Sequence, residues 1–437
     1  MKRIAFFLTV LILVSPRFAA AEEVIQKGEI LTLKRCVEIA LMRHPSILAS
    51  QGNVDVYYAR KGQAEAGYYP RVDASAGYSR FKPSTISTGA TTIGVSNRVT
   101  TSHSFDQYAA GISASQTIFD FWRTGTQVNI QKLNIDSSKE DLRNTEDQVI
   151  FNVKQAYYGV LAAKRNVVVA RETLQQFQQH LEQAKAFYEV GTRPKFDVTK
   201  AEVDLGNAQL NLIRAENSSR IAMVTLNNEL GVPGAPEYEI EDILFFEKYS
   251  IGFQEAVDRA YENRPELKSL VLRKKASEES VSLARKEYYP FLTGDASYSW
   301  AGEQFAVNDA GWSAGLTLSI PIFSGFSTKY QVSEAKANLL VLTANEEALR
   351  QNVLLEVQQS LLFLSEAEER IAVAELQVKQ AQENFEIANG RYAAGVGNPI
   401  EVTDAEVALS NAKTGHNQAL YDYKVARSSL ERAMGVR

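Results

Sequence analysis

The side chains best suited to ligate a metal or attack a substrate are few, and their spacing serves neither purpose. Four histidines stand at 44, 103, 180 and 416, too scattered for a metal-ligand motif. Cys36 is the only cysteine, so no disulfide closes within the chain, and no Ser-His-Asp, Cys-His or metal constellation is legible. Leu33-Lys34-Arg35 precedes it in place of the small residues of a lipid-attachment site, so Cys36 reads as a small residue on a helix face. Neither a cofactor nor an enzymatic activity is expected. The charged residues worth following are Asp197, Glu401 and Asp404. Each opens a segment just after a glycine-containing turn, where a carboxylate near a helix N-terminus contributes about 0.3–1 kcal/mol.

Those carboxylates belong to a passage that occurs twice, 204 positions apart: YEVGTRPKFDVTKAEVDLGNAQL from Tyr188 and YAAGVGNPIEVTDAEVALSNAKT from Tyr392. The register holds without a gap from Tyr108/Trp312 through Thr124/Thr328 to Gly231/Gly435, so one long unit has been duplicated. Gly191 and Gly395 sit where a helix end calls for a left-handed residue. Asn398, Pro399 and Glu401 then read as N-cap, N1 proline and an N3 acid able to reach back to the cap. Each copy is expected to make a tight helical hairpin.

Long helices must carry these turns. The widest proline-free gaps, 84–193 and 322–398, fall at equivalent places in the two copies, and proline costs a helix interior about 3 kcal/mol. Apolar residues from Ile150 to Tyr188 keep mostly three- and four-residue spacing, which predicts helices over 123–190 and 326–394, each about 100 Å long. The returning helices, 198–230 and 400–434, are half that length. The missing half is assigned to helices over 32–69 and 252–289, matched through His44-Pro45/Arg264-Pro265 and Tyr68-Tyr69-Pro70/Tyr288-Tyr289-Pro290, which are expected to stack end to end on the returning helices.

The intervening segments alternate instead. Trp312, Ala314, Leu316, Leu318, Ile320 and Ile322 interleave with small polar residues, and the stretch from Tyr108 to Phe119 repeats the pattern, so strands are predicted at 70–80, 108–119, 290–300 and 311–323. About ten residues is the length that crosses a bilayer in a tilted barrel. Aromatics cluster at the strand ends, and Tyr69, Phe119, Trp122, Tyr289, Phe323 and Trp312 are candidate membrane-interface anchors. Phe81–Gln107 reads as a long external loop. Open strand edges are not tolerated in lipid, so four strands per chain imply closure by several chains, most simply three chains and twelve strands.

Export is written at the start of the chain. MKR, the apolar run Ile4–Val14 and Ala19-Ala20-Ala21 form the three zones of a signal peptide spanning 1–21, followed by repeats at 22–234 and 235–437. The formal charge of −5 falls to about −8 without that peptide's three basic residues, which argues against nucleic acid as a partner. A soluble periplasmic coiled-coil adaptor or scaffold shares the long hairpins and is the alternative reading, but it has no use for two-faced strands with aromatic ends.

The duplicated order of elements, with strands ending in Ile118-Phe119-Asp120 and Pro321-Ile322-Phe323-Ser324-Gly325 and turns of the form Tyr-x-x-Gly-x-x-x-x-x-Asp/Glu-Val, resembles the TolC-type outer-membrane efflux proteins. The resemblance implies an α+β membrane protein: a homotrimer with a 12-stranded β-barrel among outer-membrane lipids of a Gram-negative bacterium, and a periplasmic α-helical barrel built from the coiled-coil hairpins. It also implies passive export by an efflux pump or type I secretion system, with an inner-membrane transporter supplying energy and a periplasmic adaptor docking on the turns. On the matching positions, Glu401 and Asp404 would ring the periplasmic gate, with Asp197 at the first hairpin's equivalent place and Lys200 replacing the second acid there. Tyr392 matches a tyrosine that holds the closed state, but the expected arginine is Gly397 here, so the lock is expected to use Arg193 or Arg391, or to be looser. The adaptor would meet Gly191, Thr192, Arg193, Gly395, Val396 and Gly397. The exported substrate is not legible.

Overall fold

The computed structural model describes residues 25–82, 104–304 and 310–437. The signal segment and most of the Phe81–Gln107 loop lie outside them. In chain order the elements are β1 (Ile30–Leu31), α1 (Leu33–Arg43), α2 (Pro45–Glu65), β2 (Arg71–Phe81), β3 (Phe105–Phe119), α3 (Arg123–Glu189), α4 (Lys195–Glu229), β4 (Glu239–Ile240), α5 (Phe253–Asn263), α6 (Pro265–Lys286), β5 (Phe291–Gly302), β6 (Ala310–Ser319), α7 (Ser327–Ala393) and α8 (Pro399–Ala433). By packing the described residues fall into two units, 25–44 with 149–248 and 367–425, and 45–82 with 104–148, 249–304, 310–366 and 426–437.

The second unit holds a four-stranded antiparallel sheet of order β2-β3-β5-β6, in which β3 and β5 join the two repeats. Its register puts Val72, Ala74, Ala76 and Tyr78 of β2 on the face that also carries Ala110, Ile112 and Ala114 of β3, Ala296 and Tyr298 of β5, and Trp312, Ala314, Leu316 and Leu318 of β6. The opposite face carries Asp73, Ser75, Ser113, Ser115, Ser297, Ser299, Ser313 and Thr317, with Ser297 and Ser313 hydroxyls 2.9 Å apart. One face is thus apolar and exposed and the other small and polar. β2 and β6 are each paired on one side only. β6 stops at Ser319, short of the expected 323, because Pro321 has no N–H to extend the ladder.

Two strained corners lead from strand to helix. Phe121 and Trp122 adopt φ of 51° and 61°, and Gly325 and Phe326 take 60° and 68° at the equivalent positions. Left-handed aromatics cost about 1–3 kcal/mol each and persist only where neighbours over-determine them. Asp120 supplies that restraint, accepting from Arg123 N at 3.1 Å, Thr124 N at 2.8 Å and the Thr124 hydroxyl at 2.6 Å, while Phe121 stacks on Tyr289 at 5.2 Å. Trp122, Tyr69, Tyr289 and Phe323 are all exposed, and Trp312 is 79% exposed.

The opening helices of the repeats are broken where a single helix was expected. α1 ends at Arg43 and α2 starts at Pro45; α5 ends at Asn263 and α6 starts at Pro265. A residue before proline is pushed out of the helical region by the ring, and His44 and Arg264 take ψ of 127° and 120°. The break admits a neighbour: a side chain on Gly231 would lie 2.8 Å from the Arg43 carbonyl oxygen, and one on Gly435 would lie 2.9 Å from the Arg264 nitrogen.

In the first unit, β1 and β4 form a two-residue parallel pair that the sequence pattern does not signal. The buried Tyr157 hydroxyl anchors it, 2.7 Å from the Glu241 carbonyl and 3.1 Å from that of Leu31. Cys36 on α1 is fully buried, like its repeat partner Ala256 on α5, and burial pushes its thiol up to about 12. Both hairpins belong to this unit. Leu181, Ala184 and Ala201 pack one, and Phe385, Ala388, Tyr392, Val402, Ala405 and Leu409 pack the other.

Candidate functional site

Each hairpin turn is closed by the same backbone device. Gly191 and Gly395 take φ of 73° and 77°, so their N–H groups reach Tyr188 and Tyr392 carbonyls at 2.9 Å, and Thr192 and Val396 reach back to Phe187 and Arg391. Pro194 and Asn398 then start α4 and α8, and the Asn398 side chain accepts from Ile400 N at 2.9 Å. α4 begins three residues before the expected 198 because Lys195, Phe196 and Asp197 already follow the proline helically.

Gly397 explains its own identity. A Cβ there would stand 2.7 Å from Tyr392 N and 2.9 Å from the Arg391 carbonyl carbon, so the turn closes too tightly for any side chain. The guanidinium instead comes from the other hairpin. Arg193 Nη2 donates to the Gly397 carbonyl at 2.7 Å and to that of Gly395 at 3.1 Å, and its charge lies 5.4 Å from the Tyr392 ring centre. Of the two candidate locks it is Arg193 that bridges the hairpins. Arg391 faces Glu401 at 3.6 Å, both largely exposed, so Glu401 has an ion-pair contact rather than the expected return to the cap.

Tyr392 is fully buried, its ring 4.8 Å from that of His180 and 5.7 Å from that of Phe187. Its hydroxyl has no hydrogen-bond partner, and burial, then the charge of Asp197, raises its pKa. The three acids part company here. Asp197 is only 5% exposed, whereas Glu401 and Asp404 are exposed on α8. Lys200, where a second acid was expected, folds onto Asp204 at 2.6 Å, and the buried Thr403 hydroxyl of α8 donates to the same carboxylate at 2.8 Å.

Asp204, His180 and Glu406 were not among the expected site residues. The i, i+4 spacing of Lys200 and Asp204 was the available signal for one of them; nothing in the local sequence marks the other two as buried. Among the described residues no group of three His, Cys, Asp or Glu could hold a metal, and no helix is long and apolar enough to cross a membrane.

A duplicated chain with long helical hairpins and one two-faced antiparallel sheet is the design of an outer-membrane channel, and the family model described as Outer membrane efflux protein matches residues 36–232 and 256–436. The chain belongs to that family, acts at the outer membrane, and is the channel component through which a pump or secretion system exports. It is similar to outer membrane protein TolC of Vibrio cholerae, 21% identical over 90% of this chain and 87% of the relative. It is also similar to the alkaline protease secretion protein AprF of Pseudomonas aeruginosa, 24% identical over 76% and 70% of the two. Its fold matches the Campylobacter jejuni CmeC outer membrane channel with a TM-score of 0.77 at 18% identity, over 92% of this chain and 85% of that one. The open-state Neisseria gonorrhoeae MtrE outer membrane channel matches at 0.75 and 19%, over 92% and 89%. These relatives are channels and secretion proteins rather than enzymes, and the soluble-scaffold alternative falls with the family membership.

Proposed function

We propose that three copies of the chain close a 12-stranded barrel, with the polar sheet face lining the lumen and the apolar face and corner aromatics meeting outer-membrane lipid. The observation that carries this is the pair of free edges on β2 and β6, each a row of unpaired backbone groups beside an apolar face. In hydrocarbon each unpaired group costs several kcal/mol, and strand addition by another copy removes the cost. Joining the edges of three copies ends the problem without remainder.

The hairpins act as the periplasmic gate of this duct. Arg193 and Tyr392 hold them together, and the exposed Glu401 and Asp404 ring the opening, where carboxylates favour cations. A periplasmic adaptor docks on the glycine-rich turns at 191–193 and 395–397, and an inner-membrane transporter supplies the energy in a tripartite efflux pump or a type I secretion system. Chemical crosslinking of the detergent-extracted protein tests the assembly. A trimer, lost when Pro replaces a residue whose N–H faces outward on the β6 edge, supports it; a monomer that stays soluble without detergent overturns it.

A further inference from the structure

Beside Tyr392 a cavity of about 390 Å³ lies between α3, α7 and α8. That is within the range of ordinary small-molecule sites. Its buried floor is Phe177, His180, Phe385, Val402 and Glu406, and Gln183 and Asn389 stand at the mouth with the exposed Glu182. Two floor groups lack partners. Glu406 is 3% exposed and its Oε2 atom has no hydrogen bond; His180 is 6% exposed and its Nδ1 has none.

An unpartnered carboxylate oxygen and a ring nitrogen in one cavity leave hydrogen-bonding capacity that is costly to bury unused. The lining carries two carboxyl groups and no Lys or Arg, so the missing partner is cationic. Among the described residues no third ligand stands close enough for a metal. Two phenyl rings beside the carboxylate suit an organic ammonium, whose N–H groups bond the acids and amides while its charge lies against the rings.

We propose that this cavity binds a small primary amine in its ammonium form, with Glu406 as the counter-charge and His180 Nδ1 as a hydrogen-bond acceptor. The groups facing Glu406 agree. Lys413 and Thr173 of α3 favour its charged form, Glu172 adds negative charge, and Lys413 is itself engaged by Glu172 at 2.8 Å. With no cation bound, burial pushes Glu406 up to about 7, while burial holds His180 below its usual value and so neutral.

Calorimetric titration of the detergent-purified full chain with benzylamine, and with benzyl alcohol as neutral isostere, tests this site. Saturable benzylamine binding, absent for the alcohol, weakened at least tenfold in Glu406→Gln and retained in Glu401→Gln/Asp404→Asn, supports it. No saturable binding, binding unchanged by Glu406→Gln, or binding lost in the Glu401→Gln/Asp404→Asn variant overturns it. Should the Glu406 variant not assemble, the wild type decides. Ionisation of Glu406 between pH 6 and 8 predicts binding about tenfold tighter at the higher pH, and equal affinity at both contradicts the site.

Discussion

Arg193 of the first hairpin donates to the carbonyl of Gly397 in the second at 2.7 Å, filling from across the turn the role that a side chain at position 397 has no room to play. Bonds from a charged donor contribute about 1.5–3 kcal/mol when their partners would otherwise go unpaired. Arg193→Ala should therefore shift the hairpins toward the open arrangement by about tenfold or more, read as a larger single-channel conductance and faster proteolysis at the turns. Arg193→Lys should rescue only part of this, since an ammonium lacks the planar guanidinium that lies 5.4 Å from the Tyr392 ring centre. Unchanged conductance in both would remove Arg193 as the lock.

Gly397→Arg restores the residue the family resemblance leads one to expect, yet it should loosen the protein. Its Cβ would meet the Tyr392 backbone at 2.7 Å, so the turn must open to admit it. A lower melting temperature than wild type, with no gain from the added charge, is expected from thermal unfolding followed by circular dichroism.

The contribution of Glu406 to stability should fall as pH rises from about 4.5 to about 7. Its folded pKa, about 7, lies above the ordinary carboxyl value of 4.5, so the native state holds a proton that the unfolded chain releases. Stability from this group is present below the unfolded value and is lost as pH rises to about 7. Glu406→Gln should raise the melting temperature at pH 8 and leave it nearly unchanged at pH 4.5. His180, whose pKa is lowered by burial, works oppositely and weakens the fold as pH falls below its unfolded value of 6.5. Its contribution is common to both proteins, so the difference between them isolates Glu406.

Tyr157→Phe should cost about 1–2 kcal/mol, because it takes the hydroxyl donor from the Glu241 carbonyl at the β1–β4 pair and leaves Leu31 only its backbone donor, Glu241 N at 3.2 Å. Denaturant unfolding of the full chain measures the loss. A loss no greater than about 0.3 kcal/mol would mean that water replaces the hydroxyl.

The helical hairpins and two-faced strands were legible because they rest on periodicity and on glycine and proline, whose effects are local. The break before Pro45 and Pro265 was visible in the same residues, but the length argument favoured one uninterrupted column. β1 and β4 were not legible, since two paired residues leave no pattern. At the candidate site, repeat alignment located Tyr392, Glu401 and Asp404, whereas the role of Arg193 depends on a contact across 204 residues of chain. Asp197 matched by position yet is buried, because burial is set by the facing hairpin and not by its own helix. Glu406 and His180 escaped for the same reason.

The most direct test is single-channel recording in planar bilayers under a salt gradient. The wild-type protein should give discrete, cation-selective currents, and Glu401→Gln/Asp404→Asn should lower that selectivity without abolishing conduction. Absence of channels, or selectivity unmoved by the double substitution, would contradict an export duct gated by the acids of the second hairpin.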